Sequence, residues 1–218
     1  AQSRSEFTEQ SLSRLAQILL KNKENDKAIP VLSRLENEAD VSQNKTYAQS
    51  NLMKLYYNKK DYPNSGIYAE KVLMNPKADD NVKSDAQIII ARAAIETGDE
   101  AKAKVAYAKV LAIAKGELAA EALYYDAYFK NKEGKFEASN AAVQKIAKNY
   151  SSYKYFGAKG LILMAKNFYG LKDSYQATYI LENVIQNFTD YPDVVSEAKT
   201  ELNAIKTEEA KTNSSITK

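Results

Sequence analysis

A small residue recurs five times along this chain in the same local pattern, at intervals of 37, 38, 36 and 38 residues. Twelve residues before each of these positions stands a second residue that is also small in four of the five cases. Two closely packed helices require small side chains where they touch, so the pattern predicts a repeated helical hairpin. The later series is Ala28, Ser65, Ala103, Ser139 and Ala177, and the earlier one is Ala16, Met53, Ala91, Ala127 and Ala165.

The rest of the chain indicates an all-α fold. Apolar residues follow a spacing of three and four, and the 218 residues include only 7 Gly and 4 Pro. We predict an α-solenoid of about five hairpins, closed by a capping helix over residues 194–205 whose outer face is polar. This single domain is predicted to span residues 1–206, and residues 207–218 to be a disordered polar tail.

Two glycines mark predicted turns within the hairpins. Gly98 and Gly134 each lie five residues before a small residue of the later series, where a left-handed residue ends the first helix. Asp99 is predicted to cap the helix that follows Gly98. Pro63 is predicted to lie in the first helical turn, where its missing N–H is of little consequence.

The absence of two residue types excludes much catalytic chemistry. The chain has no Cys and no His, which removes thiol nucleophiles, imidazole bases and the usual zinc ligands. We therefore predict no enzymatic activity, no cofactor and no metal site. A net charge of +3 is too small for nucleic-acid binding, and no apolar run is long enough to span a bilayer. The chain begins at Ala1, so we expect a processed protein or a piece of a longer one.

The two small-residue series resemble the eighth and twentieth positions of the tetratricopeptide repeat, a helical hairpin of about 34 residues. The resemblance covers residues 8 to 205. It departs from the family at the fourth position, where an aromatic residue is expected, and in its longer units. The fourth position holds Leu12, Gln49, Gln87, Leu123 and Leu161.

The resemblance implies a binding groove lined by the first helix of each hairpin, and hence a protein-interaction scaffold. Aligned to this sequence, the groove would hold lysine, arginine and tyrosine side chains able to bind an extended peptide that carries carboxylates. Tyr124 and Tyr128 would serve equally well as packing residues, since they are one helical turn apart. The candidate ligand-binding residues are Lys54, Tyr57, Arg92, Tyr124, Tyr128, Lys166 and Tyr169.

Three other functions compete with this one. The chain could be a structural segment of a longer array of repeats, a carbohydrate- or peptidoglycan-binding protein, or an enzyme that uses Glu121 and Asp126. The 16 tyrosines favour the second, although Tyr56, Tyr107 and Tyr179 are expected in the core. Glu121 and Asp126 are five residues apart and so lie on different faces of a helix. The partner's identity and the oligomeric state are left open.

A second resemblance concerns the connectors between hairpins, residues 149–152 and 187–192. They resemble the Tyr-Pro-x-Ser connectors of repeat proteins in the bacterial envelope. This resemblance implies a periplasmic or outer-membrane-associated protein, with a cytoplasmic one as the alternative. An aromatic cluster at one connector, formed by Tyr150, Tyr153, Tyr155 and Phe156, is predicted to pack between hairpins.

Overall fold

A computed structural model describes residues 6–216 of the chain, with the side chains of residues 8–211. This part of the chain forms eleven α-helices and no strand, so the all-α prediction is confirmed. Its contacts group into two compact units, which meet in sequence at Val110 and Leu111, inside helix α6. A single superhelical domain over residues 1–206 stays a prediction, and residues 1–5 lie outside the described part.

The first unit consists of consecutive helices that pack against their neighbours in the chain. Each helix from α1 to α4 contacts the next one in the chain, and α3 also contacts α1 and α5. Packing of every second helix side by side is what a stack of hairpins requires. The helices are α1 (Glu6–Lys21), α2 (Asn25–Glu38), α3 (Ser42–Asn58), α4 (Tyr62–Met74), α5 (Asp80–Glu96) and α6 (Glu100–Ile113).

The second unit repeats this arrangement. Consecutive helices from α7 to α11 contact one another, and α9 also contacts α7 and α11. The last helix therefore packs as the first helix of another hairpin would. The helices are α7 (Gly116–Lys132), α8 (Phe136–Asn149), α9 (Lys154–Gly170), α10 (Ser174–Asn187) and α11 (Pro192–Ile216).

The ten residues of the two small-residue series are fully buried, with no exposed surface. In the two hairpins whose later series residue is serine, the serine hydroxyl donates a hydrogen bond to the backbone carbonyl of the earlier series residue. Ser65 donates to the carbonyl of Met53 at 3.0 Å, and Ser139 donates to that of Ala127 at 2.8 Å. The contact that the repeat predicted is therefore present in these two hairpins, and the other residues of both series are buried as it requires.

The turn inside each hairpin has the same geometry. A left-handed residue at φ 59–73° follows the first helix. Its amide donates to the carbonyl three residues before it, and the amide of the next residue donates to the carbonyl five residues before that residue. Gly98 and Gly134 take this conformation as predicted, and Asp99 accepts from the Lys102 amide at 3.0 Å. The other three turns place lysines there, Lys23, Lys60 and Lys172.

Further predictions about Pro63, the aromatic cluster and the core tyrosines have clear outcomes. Pro63 lies at the start of α4, in the first turn, as predicted. Tyr150, Tyr153 and Phe156 pack against the buried side chains of α7 and α8, which confirms packing between hairpins. Tyr107 is buried at 2 % exposure, but Tyr179 is 54 % exposed, so its predicted place in the core was wrong.

The C-terminal segment differs from its prediction. Residues 207–216 continue α11 instead of forming a disordered tail, and residues 217–218 lie outside the described part. The sequence there contains good helix formers and no Gly or Pro that would end the helix. The Ser174 hydroxyl also donates to Glu209 at 2.8 Å, which ties this extension to α10.

Candidate functional site

The seven candidate ligand-binding residues divide between the two units. Lys54 and Tyr57 lie on α3 and Arg92 on α5, in the first unit. The other four lie on α7 and α9, in the second unit: Tyr124, Tyr128, Lys166 and Tyr169. The site is therefore built separately within each unit.

In the second unit, a groove of about 250 Å³ runs over α7, α9 and α11. These three helices pack side by side, so side chains from each reach the same surface. Three of the four candidates on this unit, Tyr124, Tyr128 and Lys166, line the groove together. Other lining residues are Asn131, Lys159, Ile162 and Glu197.

Two of the lysines that line this groove are paired with carboxylates of α11. Lys159 donates to Glu197, and the ammonium of Lys166 lies 2.7 Å from Glu201. All four side chains are partly buried, which reduces screening by solvent. The groove therefore presents alternating positive and negative charge, whereas the sequence predicted a cationic surface.

The groove tyrosines are both packing residues and lining residues. Tyr124 and Tyr128 contact a core cluster that includes Ala127 and Leu163. Burial, followed by the negative charge of Glu197, raises the pKa of Tyr124 well above its ordinary value. A tyrosine hydroxyl is protonated at physiological pH even at its ordinary pKa, so the raised pKa only extends to higher pH the range in which Tyr124 can donate a hydrogen bond.

Two lysines lie over the faces of these rings. The Lys159 ammonium is 5.8 Å from the centre of the Tyr124 ring, and the Lys132 ammonium is 5.8 Å from that of Tyr128. Such cation–π contacts hold rings and lysines in fixed relative positions. Tyr169 does not line the groove, and it packs instead against the core cluster of α9, α10 and α11.

Buried hydrogen bonds support the end of the groove at Asn131. Its amide donates to the side-chain oxygen of Asn167 at 2.7 Å. Asn167 is fully buried, and its own amide donates to Ser139 at 2.8 Å and to Asn140 at 2.7 Å. Helices α7, α8 and α9 are thus joined by one polar network directly beneath the groove.

In the first unit, the candidates occupy the corresponding helices. The Lys54 ammonium on α3 lies 2.5 Å from the Asp85 carboxylate on α5. This lysine is thus also paired with the first helix of the next hairpin. The Tyr57 ring meets the Tyr62 ring edge to face, with centres 5.7 Å apart. Arg92 is half-buried on α5. Pairing of groove lysines across neighbouring first helices is therefore common to both units.

The carboxylates of the enzyme alternative have structural surroundings. Asp126 pairs with Lys130 at 2.6 Å, one helical turn away, and Glu121 is buried at 3 % exposure. Within residues 8–211, no three His, Cys, Asp or Glu side chains come together as metal ligands would. Among the helices of residues 6–216, none has the length and hydropathy needed to cross a membrane.

Sequence reasoning missed the carboxylate side of the groove. The capping helix over residues 194–205 was predicted to have a polar outer face, but its Glu197 and Glu201 pair with Lys159 and Lys166. The signal that could have found them is spacing, because these partners are 38 and 35 residues apart, close to one repeat. No protein-family model matches the chain, and neither does any curated protein.

Proposed function

We propose that this protein is a non-enzymatic interaction scaffold. It binds an extended peptide or partner segment across α7 and α9, the first helices of two hairpins, and α11. The observation that carries the proposal is the groove over α7, α9 and α11, which combines tyrosine rings with ordered charges. Tyrosine supplies rigid contact area and a hydroxyl at small entropic cost. A tetratricopeptide-like reading of the two small-residue series supports the same face.

The charges of the groove suggest the character of the ligand. Lys159 and Lys166 are already neutralised by Glu197 and Glu201, so a purely acidic peptide would have to displace carboxylates. A peptide with both acidic and basic side chains would instead match the alternating surface. The Tyr124 hydroxyl and the Asn131 side chain, which also line the groove, provide neutral hydrogen-bonding groups.

Site-specific photo-crosslinking tests the proposal. A photoreactive phenylalanine analogue replaces Tyr128 in the groove, and in a matched protein it replaces Tyr179, which is exposed on α10. We expect a discrete partner adduct from position 128 and none from position 179. Equal adducts from both positions, or an adduct from position 179 alone, would reject the groove as the binding site.

A second candidate function is that of a structural segment in a longer array. Leu15 and Ile18 on α1 favour it, because they are 44 % and 50 % exposed and lie nearly one helical turn apart. A further helix packed on α1 would cover them. If this function is the correct one, the photoreactive residue placed at Ile18 captures the partner and the one at Tyr128 does not.

We also propose a location in the bacterial envelope, supported by the resemblance of the two connectors. The connectors at residues 149–152 and 187–192 overlap the segments between helices, which are residues 150–153 between α8 and α9 and residues 188–191 between α10 and α11. Immunoblotting of the cytoplasmic, periplasmic and membrane fractions of the source cell tests it. Recovery in the cytoplasmic fraction alone would exclude this location.

A further inference from the structure

A second cavity lies at the opposite end of the hairpins from their turns, away from the groove. It has a volume of about 400 Å³ and is enclosed by α8, the start of α9 and the connector of residues 188–191. Val143, Ile146, Leu161 and Phe188 form apolar walls. This size and lining are those of sites that bind a small molecule or one large side chain.

A glycine in the cavity wall has no explanation in the packing of the chain. Gly157 lies in the first turn of α9, and a Cβ added there would meet no atom within 4 Å. In the same helix a Cβ at Gly160 would lie 3.0 Å from Val143, and one at Gly170 would lie 2.6 Å from Phe136. Close packing therefore accounts for Gly160 and Gly170.

Glycine weakens a helix, and close packing does not account for the glycine at position 157. Gly157 lines the cavity, and any larger side chain at that position would extend into open space beside it. Its presence keeps this part of the cavity accessible. The cavity beside Gly157 is therefore a space that no side chain of the described residues fills.

Two charges of opposite sign stand at the rim of the cavity. Lys154 and Asp190 both line it and are both exposed. Neither makes an ion pair or side-chain hydrogen bond within residues 8–211, in contrast to Lys159 and Lys166 of the groove. An occupant with one acidic and one basic group would be complementary to this rim.

We propose that this cavity binds one large apolar side chain of a partner peptide, flanked in that peptide by a residue of each charge. The apolar side chain enters between Val143, Leu161 and Phe188, and its acidic and basic neighbours pair with Lys154 and Asp190. This site is separate from the groove of α7, α9 and α11. It does not depend on the function proposed for that groove.

The experiment is a titration of the full chain with short capped peptides, followed by amide NMR. The probes are Lys-Phe-Glu and Glu-Phe-Lys, with Lys-Ala-Glu, Lys-Phe-Lys and Glu-Phe-Glu for comparison. We expect saturable shifts at Gly157 and Leu161 with at least one of the two mixed-charge phenylalanine peptides. Affinity should fall by roughly tenfold when alanine replaces phenylalanine, and several-fold when both charges have one sign.

Matched glycine variants test the location. Gly157→Leu places a side chain beside the cavity, and its Cβ would meet no atom within 4 Å. The variant should therefore keep its cooperative unfolding and lose binding by roughly tenfold or more. Gly66→Leu is the control, because Gly66 lies in α4 of the first unit and likewise has no atom within 4 Å of an added Cβ. Binding should be unchanged in that variant.

Four results would overturn the proposal. These are the absence of saturable binding by either mixed-charge peptide, equal binding of the alanine peptide, equal binding by Gly157→Leu, and shifts confined to groove residues such as Tyr128. Failure here leaves the crosslinking result at Tyr128 unaffected, since that residue lines only the groove among these two sites. The two proposals can therefore be rejected independently.

Discussion

The ammonium of Lys166, which lines the groove, lies 2.7 Å from the Glu201 carboxylate, and this ion pair joins α9 to α11. Both side chains are about one-third exposed. Together with the pair formed by Lys159 and Glu197, it fixes the positions of charge on the surface where a peptide would bind. The same contacts that join α11 to α9 therefore set the charges that the proposed peptide would meet.

A double-mutant cycle on this pair should give a measurable coupling. Lys166→Ala and Glu201→Ala should each lower the free energy of unfolding, with a coupling energy of about 0.5 kcal/mol that decreases as salt is added. Urea unfolding at low and high ionic strength measures it. The pair of Lys206 and Glu182 is about half exposed and serves as the control, with a smaller coupling. Equal coupling at both salt concentrations would contradict a charge interaction.

Replacement of Asn167 should be among the most destabilising changes in the second unit. Its side chain is fully buried and has three hydrogen-bonding partners, Asn131, Ser139 and Asn140. Asn167→Ala removes the hydrogen bonds to these three side chains and opens a cavity. We therefore expect the free energy of unfolding to fall by roughly 3 kcal/mol.

The control for this variant is Asn183→Ala. Asn183 donates only to the carbonyl of Tyr179 within its own helix, at 2.8 Å, so its replacement should change stability by less than about 0.5 kcal/mol. Denaturant unfolding of both variants compares them directly. Similar losses for the two variants would show that the buried network contributes little.

Much of the fold could be predicted from the sequence because the packing constraint repeats. Small residues such as Ala127 and Ser139 are needed wherever the two helices of a hairpin touch, and both are fully buried. This requirement appears in the sequence as a fixed spacing. Residues 207–216 were mispredicted because polar composition was taken to mean disorder. Their helix continues beside α10 and is joined to it by the bond between Ser174 and Glu209.

The candidate site was less predictable because its electrostatics depend on long-range pairs. The sequence predicted Lys54 and Lys166 as groove residues, but it could not show that Asp85 and Glu201 pair with them. Similarly, glycine marked two of the five left-handed turns, whereas a lysine such as Lys60 carries no such signal. Only alignment to the repeat places these lysines at the same position.

The lysines in left-handed conformation provide a stability prediction. Lys60 has a φ of 60°, which costs an L-residue about 1–2 kcal/mol, while glycine there adds about 0.5–1 kcal/mol of backbone entropy. Lys60→Gly should therefore raise the free energy of unfolding by about 0.5–1 kcal/mol, and Gly98→Ala should lower it by about 1 kcal/mol.

Thermal or urea unfolding of Lys60→Ala separates the backbone effect from the loss of the lysine side chain. This variant keeps the strained φ, so it should be less stable than Lys60→Gly. If the alanine and glycine variants are equally stable, the left-handed turn is not a source of strain at this position.

The carboxylate of Glu9 should make stability depend on pH. It accepts hydrogen bonds from the Asn44 side chain at 2.9 Å and from the backbone amides of Asp40 and Val41 at 2.7 and 3.3 Å. These bonds, with that of Asn44 contributing most, and the nearby charge of Lys45 lower the pKa of Glu9 from its ordinary value. The charged form is thus favoured in the folded state.

Because the folded-state pKa is the lower one, Glu9 stabilises the fold fully above the pKa of an unfolded glutamate. This contribution is lost as the pH falls through the folded-state pKa. Urea unfolding from pH 7 to pH 3 should show Glu9→Gln less stable than the natural chain at pH 7, with the difference shrinking as the pH falls. A difference that stays constant over this range would mean that Glu9 acts through packing alone, since a neutral glutamine retains the shape of the side chain but not its charge.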